Sequence, residues 1–411
     1  MFTIASAIVI LIFSLQAFAA VLPIPIPNSA APGHGQYIIS LKTGLNDAQV
    51  QNHLDWAIAI HKRSLDGGST GGVGTVFNIG GFHAYAGSFD DSTIVQIAAG
   101  ESVASIEPNH VVTIDDAVST QEAAPWGLAS LSSNNRLPEA AGGYEYSFDG
   151  SSGGGTFAYV LDTGVQVSHP DFGGRAVRGI NAQHSEEFED LNGHGTHVAG
   201  IVGSQTYGVV KKATIVDVKV MNQHGSGNVL TVLDGFKWAI ENITKTPERK
   251  NKSIISMSLG FYASTQTSAL DSAINAAYDD LGVVTIVSAG NGNEEASRKS
   301  PARAERAVTV AAADRARSRA AFSNHGTAVK IFAPGVDIGS VDRNNGNSTR
   351  SGSSQATPHV AGLLSYLISK EKLETPIAAW DRLKELGLED VVADVKGATN
   401  LLAYNGNGHQ G

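Results

Sequence analysis

The chain has 411 residues, of which 42% are hydrophobic and 17% charged, and its formal net charge at pH 7 is −10. A chain of this length and composition can bury a large core and is expected to form two or three folded units, which excludes a disordered or repeat protein. The acidic balance, with no basic stripe, argues against binding to nucleic acid or to an anionic membrane surface.

The N-terminus has the pattern of a secretory signal. Residues 7–15 are an apolar core and Ala17-Phe18-Ala19 is a small-x-small cleavage pattern, so we expect a signal peptide over residues 1–19. No Lys or Arg precedes the core, which leaves an uncleaved membrane anchor as the alternative, although the core is short for a span. We therefore expect a secreted, extracellular protein, with vacuolar delivery as the other destination.

The chain contains no cysteine, so its stability must come from its core or from bound ions and not from disulfides. Sequons begin at Asn242, Asn251 and Asn347 and are candidate glycosylation sites, in keeping with a secretory route.

A proline-rich linker over residues 20–35 leads to a small domain that we place at 36–116. Its predicted strands are 36–41, 75–79, 84–89, 103–107 and 111–114, with helices after Asn46 and from Ser92. This order predicts a ferredoxin-like α+β domain. Residues 115–124 are polar and without period, which predicts an accessible connection.

The spacing of apolar residues changes in the rest of the chain, which we treat as a second domain over 119–411. Apolar runs at 156–161, 213–220, 253–257, 283–287 and 308–312 alternate with helical patterns, the clearest of which spans 229–243. Alternation of this kind predicts an α/β domain whose mostly parallel sheet is covered by helices on both faces. Ligands bind such sheets at the carboxyl ends of the strands.

Four polar residues fall at strand ends or helix starts of this domain. Asp162 ends a strand, Asn291 follows another, and His194 lies between two glycines at the start of a helix. Ser354 precedes a buried helix in which Pro358 is expected within the first turn. Together they would supply a carboxylate, an amide donor, a base and a nucleophile at one edge of the sheet.

Each residue also has an ordinary interpretation. Asp-Thr-Gly and Asn-Gly are common turns, and Ser353 or Ser354 could be a simple helix N-cap. His194 could pair with His197 at a metal, but their spacing is not that of His-Glu-x-x-His.

Three segments, 160–164, 192–200 and 351–362, resemble the signature blocks of subtilisin-like serine proteases, and 124–129 and 77–83 are similar to the proteinase K-like branch. The resemblance implies a three-layer subtilisin-like fold and a serine endopeptidase. It implies a catalytic triad of Asp162, His194 and Ser354, with Asn291 in the oxyanion hole. The family usually has Thr and Met beside the nucleophile, where this chain has Ser353 and Gln355.

The resemblance also implies where peptide and protein substrates bind. Two stretches would flank an extended peptide, and small residues would leave room for an apolar or aromatic P1 side chain, with broad specificity overall. The implied substrate-binding residues are Gly225, Ser226, Gly227, Ser258, Leu259, Gly260, Ala289 and Gly290.

The first domain resembles the inhibitory propeptide of these proteases. The resemblance implies a monomeric zymogen that is inhibited by its own propeptide and cuts itself near Val118 and Ser119. The family has an aspartate at a calcium site where this chain has Lys330, whose charge would repel Ca²⁺. We therefore expect no cofactor or metal, with calcium at another site left open.

Two other functions compete with this interpretation. An α/β-hydrolase-type esterase is suggested by Gly352-Ser-Ser-Gln-Ala356, but only His359 and His409 follow the serine as bases. An inactive protease-like binding protein would not need all four catalytic positions filled, as they are here.

Overall fold

The computed structural model describes residues 36–64, 71–109, 118–138, 143–263 and 268–407. The chain forms two compact units, Met1–Asp115 and Asp116–Gly411. The expected signal peptide, the linker and the strand expected at 111–114 lie outside the described residues. The domain limits 36–116 and 119–411 stay predictions.

The smaller unit has the elements β1 (Gln36–Leu41), α1 (Asp47–Ser64), β2 (Gly72–Ile79), β3 (Phe82–Ser88), α2 (Asp91–Ala98) and β4 (Val103–Pro108). Its antiparallel sheet has the order β2-β3-β1-β4, and this confirms the ferredoxin-like α+β prediction. Asn46 caps α1 as expected: Gln49 N donates to Asn46 Oδ1, and Asn46 N donates back to Gln49 Oε1, each at 3.0 Å.

In the larger unit a nine-stranded sheet is surrounded by helices. The helices are α3 (Trp126–Leu131), α4 (His194–Gly203), α5 (Val229–Lys245), α6 (Ala269–Leu281), α7 (Ser353–Lys370) and α8 (Pro376–Leu386). The strands are β5 (Ser119–Ala124), β6 (Tyr144–Phe148), β7 (Phe157–Asp162), β8 (Ala176–Asn181), β9 (Thr214–Lys219), β10 (Ser253–Met257), β11 (Phe261–Tyr262), β12 (Thr285–Ser288), β13 (Lys299–Ser300), β14 (Val308–Ala313), β15 (Ile331–Pro334), β16 (Ile338–Val341), β17 (Asn347–Arg350), β18 (Leu388–Glu389) and β19 (Leu401–Leu402). The sheet order is β18-β19-β15-β14-β12-β10-β7-β9-β8, and only the β18–β19 pair is antiparallel.

The three-layer prediction is confirmed, because the side chains of β7 point alternately into two separate cores. Ala158 and Val160 pack in the core beneath α4 and α7, whereas Tyr159 and Leu161 pack in the core beneath α5 and α6. Successive strand side chains point to opposite faces. Asp162 has the parity of Ala158 and Val160, so its carboxylate lies on the α4 and α7 side.

The prediction that residues 115–124 form an irregular connection is wrong for the second half of this segment. Residues 119–124 form β5, which pairs antiparallel with β6 in the registers Ser119↔Phe148 and Gln121↔Tyr146. The strand is held by backbone hydrogen bonds and its side chains are mostly exposed, so no apolar alternation marks it in the sequence.

Among the described residues, no helix is both long and apolar enough to cross a membrane.

A buried lysine holds β5 against the rest of the larger unit. Lys211 Nζ donates to Gln121 Oε1 at 2.7 Å and to the Gln205 carbonyl at 2.8 Å, and Gln121 Nε2 donates to the Thr206 carbonyl at 2.9 Å. Burial lowers the pKa of Lys211 from 10.5 to about 7, which the Asp171 carboxylate opposes and Arg175 reinforces. The ammonium form is therefore disfavoured in the folded state.

This pKa predicts a contribution to stability that depends on pH. Between pH 7 and 10.5 the unfolded lysine keeps its proton while folded Lys211 loses it, so the free energy of unfolding rises with pH across that window. Lys211→Met should remove this rise and should cost about 1–3 kcal/mol at high pH, because Gln121 and Gln205 lose their donor. Urea unfolding of the Ser354→Ala protein, which avoids self-digestion, measures both effects.

Lys245→Met is the matched control, since the Lys245 side chain is 73% exposed. If Lys211→Met and Lys245→Met show the same rise between pH 7 and 10, Lys211 does not titrate in this window.

Candidate active site

The expected acid and base form a direct contact. Asp162 ends β7 and His194 is the first residue of α4, and their Oδ1 and Nδ1 atoms are 2.7 Å apart. The Asp162 carboxylate is 2% exposed and also accepts a hydrogen bond from Thr163 N at 2.7 Å. Because the carboxylate holds Nδ1, the Nε2 atom of His194 is left as the proton acceptor.

The net effect of the surroundings is to raise the pKa of His194 above its usual 6.5. Burial alone would lower this pKa, but the charge and hydrogen bond of Asp162, together with the more distant Asp190, outweigh burial and the opposing charge of Arg350. The imidazolium is thus stabilised beside its carboxylate.

A second buried carboxylate organises the loop that carries His194. Asp190 Oδ1 accepts from the Thr163 hydroxyl (2.8 Å), Asn192 N (3.1 Å) and Gly193 N (2.8 Å). Its Oδ2 accepts from the backbone N–H of Thr196 at 2.9 Å and from the Thr196 hydroxyl at 2.6 Å. Asp190 thereby joins the residue after Asp162 to the first turn of α4.

The two glycines beside His194 are needed for different physical reasons. Gly193 is the N-cap of α4 and has φ of 95°, a left-handed conformation that glycine adopts without a steric penalty. Gly195 has no room for a side chain, because a Cβ there would lie 2.1 Å from the Gly164 carbonyl oxygen. The sequence motif therefore reflects both backbone conformation and close packing.

Ser354 is the second residue of α7, and Pro358 lies beyond the first turn, so the expected position of Pro358 is wrong. A proline lacks the N–H that would bond to the carbonyl four residues earlier, which is that of Ser354. The Ser258 hydroxyl donates to this freed carbonyl at 2.8 Å, and Ser354 Oγ donates to the Ser258 carbonyl at 3.3 Å. Pro358 thus allows a reciprocal link between Ser354 and one expected substrate-binding stretch.

Asn291 lies just after β12 and is oriented by Ser353. The backbone N–H and the hydroxyl of Ser353 both donate to Asn291 Oδ1, at 2.8 and 2.9 Å. This leaves the Asn291 amide nitrogen on the side of Gly352, where a Cβ would lie 2.9 Å from Gln355 Oε1, 3.2 Å from Asn291 Nδ2 and 3.6 Å from Ser354 N. Two nitrogen atoms therefore lie close together beside Gly352, with the Gln355 side-chain oxygen next to them.

Residues 225–227 lie in the loop between β9 and α5, which a fully buried lysine supports. Lys219 Nζ donates to the carbonyls of Thr163 (2.8 Å) and Met221 (2.9 Å) and lies 3.1 Å from Glu186 Oε2. Gln223 N donates to both carboxylate oxygens of Glu186, at 3.0 and 3.1 Å. The loop is thus tied to the residue that follows Asp162.

The other expected site residues are placed as follows. Residues 258–260 lie between β10 and β11, and Ala289 and Gly290 follow β12. Val118 is exposed and Ser119 begins β5. Lys330 precedes β15 and lines a cavity of about 580 Å³ together with Arg306 and Lys384.

His197 and His194 have different hydrogen-bond partners. Its Nε2 donates to the Ser348 carbonyl at 3.2 Å, and burial, aided by Arg350, lowers its pKa to about 4. Within the described ranges, no group of three His, Cys, Asp or Glu side chains could hold a metal ion. His359 is buried and donates to the Gln355 carbonyl of its own helix at 2.8 Å, an arrangement that does not favour the esterase alternative.

Sequence reasoning missed four residues that support this site by holding other residues in place. They are Asp190, Thr163, Ser353 and Glu186, and none of them was expected to contact the substrate. Asp190, four residues before His194, could have been suspected as a side-chain cap for the following helix.

A parallel α/β sheet with a carboxylate, an imidazole and a serine at its carboxyl edge is the architecture of a serine hydrolase. The subtilase family matches residues 153–406, and the peptidase inhibitor I9 family matches residues 36–115. The chain belongs to the subtilase family, and it is a subtilisin-like serine endopeptidase with an I9-type inhibitor domain.

Its relatives agree with this assignment. "Alkaline protease 1" of Aspergillus flavus is 44% identical over 91% of this chain and 91% of the relative. "Subtilisin-like proteinase Mp1" of Magnaporthiopsis poae is 42% identical over 93% of this chain and 92% of the relative. A crystal structure of a cold adapted subtilisin-like serine proteinase matches with a TM-score of 0.61 and 40% identity, over 69% of this chain and 98% of that one.

Asp190→Asn tests how much the site depends on its second carboxylate. The amide turns one acceptor into a donor that faces N–H and O–H groups, so we expect a loss of about 3 kcal/mol in the free energy of unfolding. We also expect turnover to fall, because the His194 loop loses its anchor. Urea unfolding in the Ser354→Ala background and peptide hydrolysis in the active background measure the two effects.

Asp381→Asn is the control, because the Asp381 side chain is 55% exposed and pairs with Lys384 at 2.7 Å. A stability loss at Asp190 no larger than at Asp381 would contradict the proposed anchoring.

Proposed function

We propose that this enzyme hydrolyses peptide bonds through an acyl-enzyme on Ser354. His194 Nε2 takes the hydroxyl proton of Ser354, and Asp162 holds the imidazole and stabilises its cation. The observation that carries this proposal is the 2.7 Å contact between Asp162 and His194. Helix α4, which begins at His194, packs against α7, whose second residue is Ser354. For the reaction, the Ser354 hydroxyl turns from the Ser258 carbonyl toward His194.

The oxyanion of the tetrahedral intermediate would occupy the space beside Gly352. Asn291 Nδ2 and Ser354 N are the donors proposed for it, and the Ser353 contacts to Asn291 Oδ1 support that orientation of the amide. Fixed donors of this kind stabilise charge that develops only in the transition state.

The mechanism sets a direction for the pH dependence of activity. His194 must be neutral to accept the proton, and its pKa lies above 6.5, so activity should rise with pH through a midpoint above that of a free imidazole. The enzyme would therefore favour neutral to alkaline conditions.

An extended peptide would lie between residues 225–227 and 258–260 and pair with their backbone, as in the addition of a strand to a sheet edge. Backbone pairing reads little of the substrate sequence, which supports broad specificity. The small residues Ala289 and Gly290 leave space for an apolar or aromatic P1 side chain.

Two substitutions test the proposed roles. Ser354→Ala should reduce turnover on casein and on peptide p-nitroanilides by about 10⁶-fold, the magnitude measured for the nucleophile of subtilisin. Asn291→Ala should reduce it by about 10²- to 10³-fold, as measured for the corresponding donor of subtilisin, with little change in KM. Activity retained by Ser354→Ala would show that another residue is the nucleophile.

We propose that the zymogen cuts itself between Val118 and Ser119, and that the inhibitor domain then dissociates from a monomeric, extracellular enzyme. The I9 match supports inhibition by the propeptide. The exposure of Val118 supports access to the cut.

Among the three sequons we propose Asn347 as the glycan acceptor, because its side chain is exposed at the start of β17. Asn242 is engaged instead, since its Oδ1 accepts from the Tyr159 hydroxyl at 2.6 Å and from Arg249. Asn251 lies in a turn before β10 and stays a candidate.

We propose that no calcium binds at Lys330. A fixed cation disfavours Ca²⁺, although the cavity that Lys330 lines with Arg306 and Lys384 is also lined by Glu305, Glu389 and Asp390.

Thermal unfolding of the Ser354→Ala protein with and without EGTA tests this prediction. We expect the two midpoints to agree within about 1–2 °C, since no bound ion would be removed. A drop of many degrees would reveal a calcium site elsewhere.

A further inference from the structure

The floor of the proposed P1 pocket is formed by a segment that the sequence did not suggest. Strand β11 follows residues 258–260 directly and pairs antiparallel with β13, in the registers Phe261↔Ser300 and Tyr262↔Lys299. A Cβ at Gly260 would lie 3.2 Å from the Ser300 carbonyl oxygen, and a Cβ at Gly290 would lie 3.7 Å from Lys299 Cγ. Both walls of the pocket therefore meet β13.

β13 brings a charged cluster to this floor. Lys299 Nζ lies 3.1 Å from the centre of the Tyr262 ring and 3.6 Å from Glu294 Oε1. Glu294 Oε2 pairs with Arg298 at 3.0 Å. The Lys299 side chain is 18% exposed and that of Arg298 is 65% exposed, so Lys299 is the cation less screened by water.

The cluster has two cations for one carboxylate. The Tyr262 hydroxyl first, and then Lys299 and Arg298, hold the pKa of Glu294 below its usual range, so the carboxyl is ionised at neutral pH. An ammonium has three N–H donors, and the contact of Lys299 with Glu294, at 3.6 Å, does not use all of them. The stem of Lys299 and the ring of Tyr262 still offer apolar surface.

We propose that Lys299 is a specificity-determining residue at the P1 floor, favouring long P1 side chains that end in a hydrogen-bond acceptor, Gln and Glu, over Lys and Arg. This inference rests on the proposed function and on the assignment of 258–260 and 289–290 as pocket walls. Short and aromatic P1 side chains fill the pocket without reaching the ammonium, so they are accepted as well. Glu294 partly neutralises Lys299 and so limits the preference.

The test compares kcat/KM for succinyl-Ala-Ala-Pro-X p-nitroanilides with X of Phe, Gln, Glu and Lys. The wild type should cleave the Glu substrate faster than the Lys substrate. Lys299→Met should lower the Glu-to-Lys ratio about tenfold, because the charge that discriminates between the two substrates is removed. Glu294→Gln should raise the same ratio, since it removes the opposing charge.

Lys245→Met is the matched control and should leave the ratio unchanged, because Lys245 is exposed and pairs with Glu241 at 3.1 Å. As a measurement without mutation, raising the salt to about 1 M should reduce the Glu-to-Lys ratio of the wild type by screening. A wild type that prefers Lys, or a ratio that Lys299→Met leaves unchanged, would overturn the inference.

The same assays separate the inference from the proposed function. If Ser354→Ala abolishes hydrolysis of every substrate but the ratio does not respond at Lys299, only the inference about the P1 floor fails. If Ser354→Ala keeps wild-type activity, the proposed nucleophile fails first.

Discussion

The carboxylate of Asp190 joins the end of β7 to the start of α4 through five hydrogen bonds. Asp162 and His194 are 32 residues apart in sequence, and the separation of their side chains depends on where these two elements end. A carboxylate can accept several hydrogen bonds at once, so it can replace the missing partners of a loop and a helix N-terminus together. Asp190 thus fixes the loop geometry on which the contact between acid and base depends.

Ser354, the proposed nucleophile, is positioned in a different way, by a helix that lacks one hydrogen bond. α7 is almost entirely buried against the sheet, which fixes its axis. Pro358 releases the Ser354 carbonyl, and Ser258 takes its place as donor at 2.8 Å. The cost of a proline inside the helix is offset because the freed carbonyl is not left unpaired. Two hydrogen bonds therefore link the proposed nucleophile to the proposed peptide-binding stretch.

Burial and neighbouring charge combine differently at two titratable groups of this unit. At His194 a neighbouring carboxylate outweighs burial and raises the pKa of the imidazole. At Lys211 burial dominates and lowers the pKa of the amine to about 7. The net shift depends on whether an opposite charge replaces the lost water, and not on burial alone.

The sequence by itself determined the class of fold, the two families and the identity of the polar residues at the carboxyl edge, because strand and helix periods and short motifs are local patterns. It could not determine β5, which is held by backbone pairing with β6, or the position of Pro358 in α7. It also could not reveal that Asp190 bonds to Thr163 or that Ser353 bonds to Asn291, because these partners are distant in the chain. Only the tertiary structure decided these contacts, since hydrogen bonds and ion pairs between remote segments depend on how the layers pack.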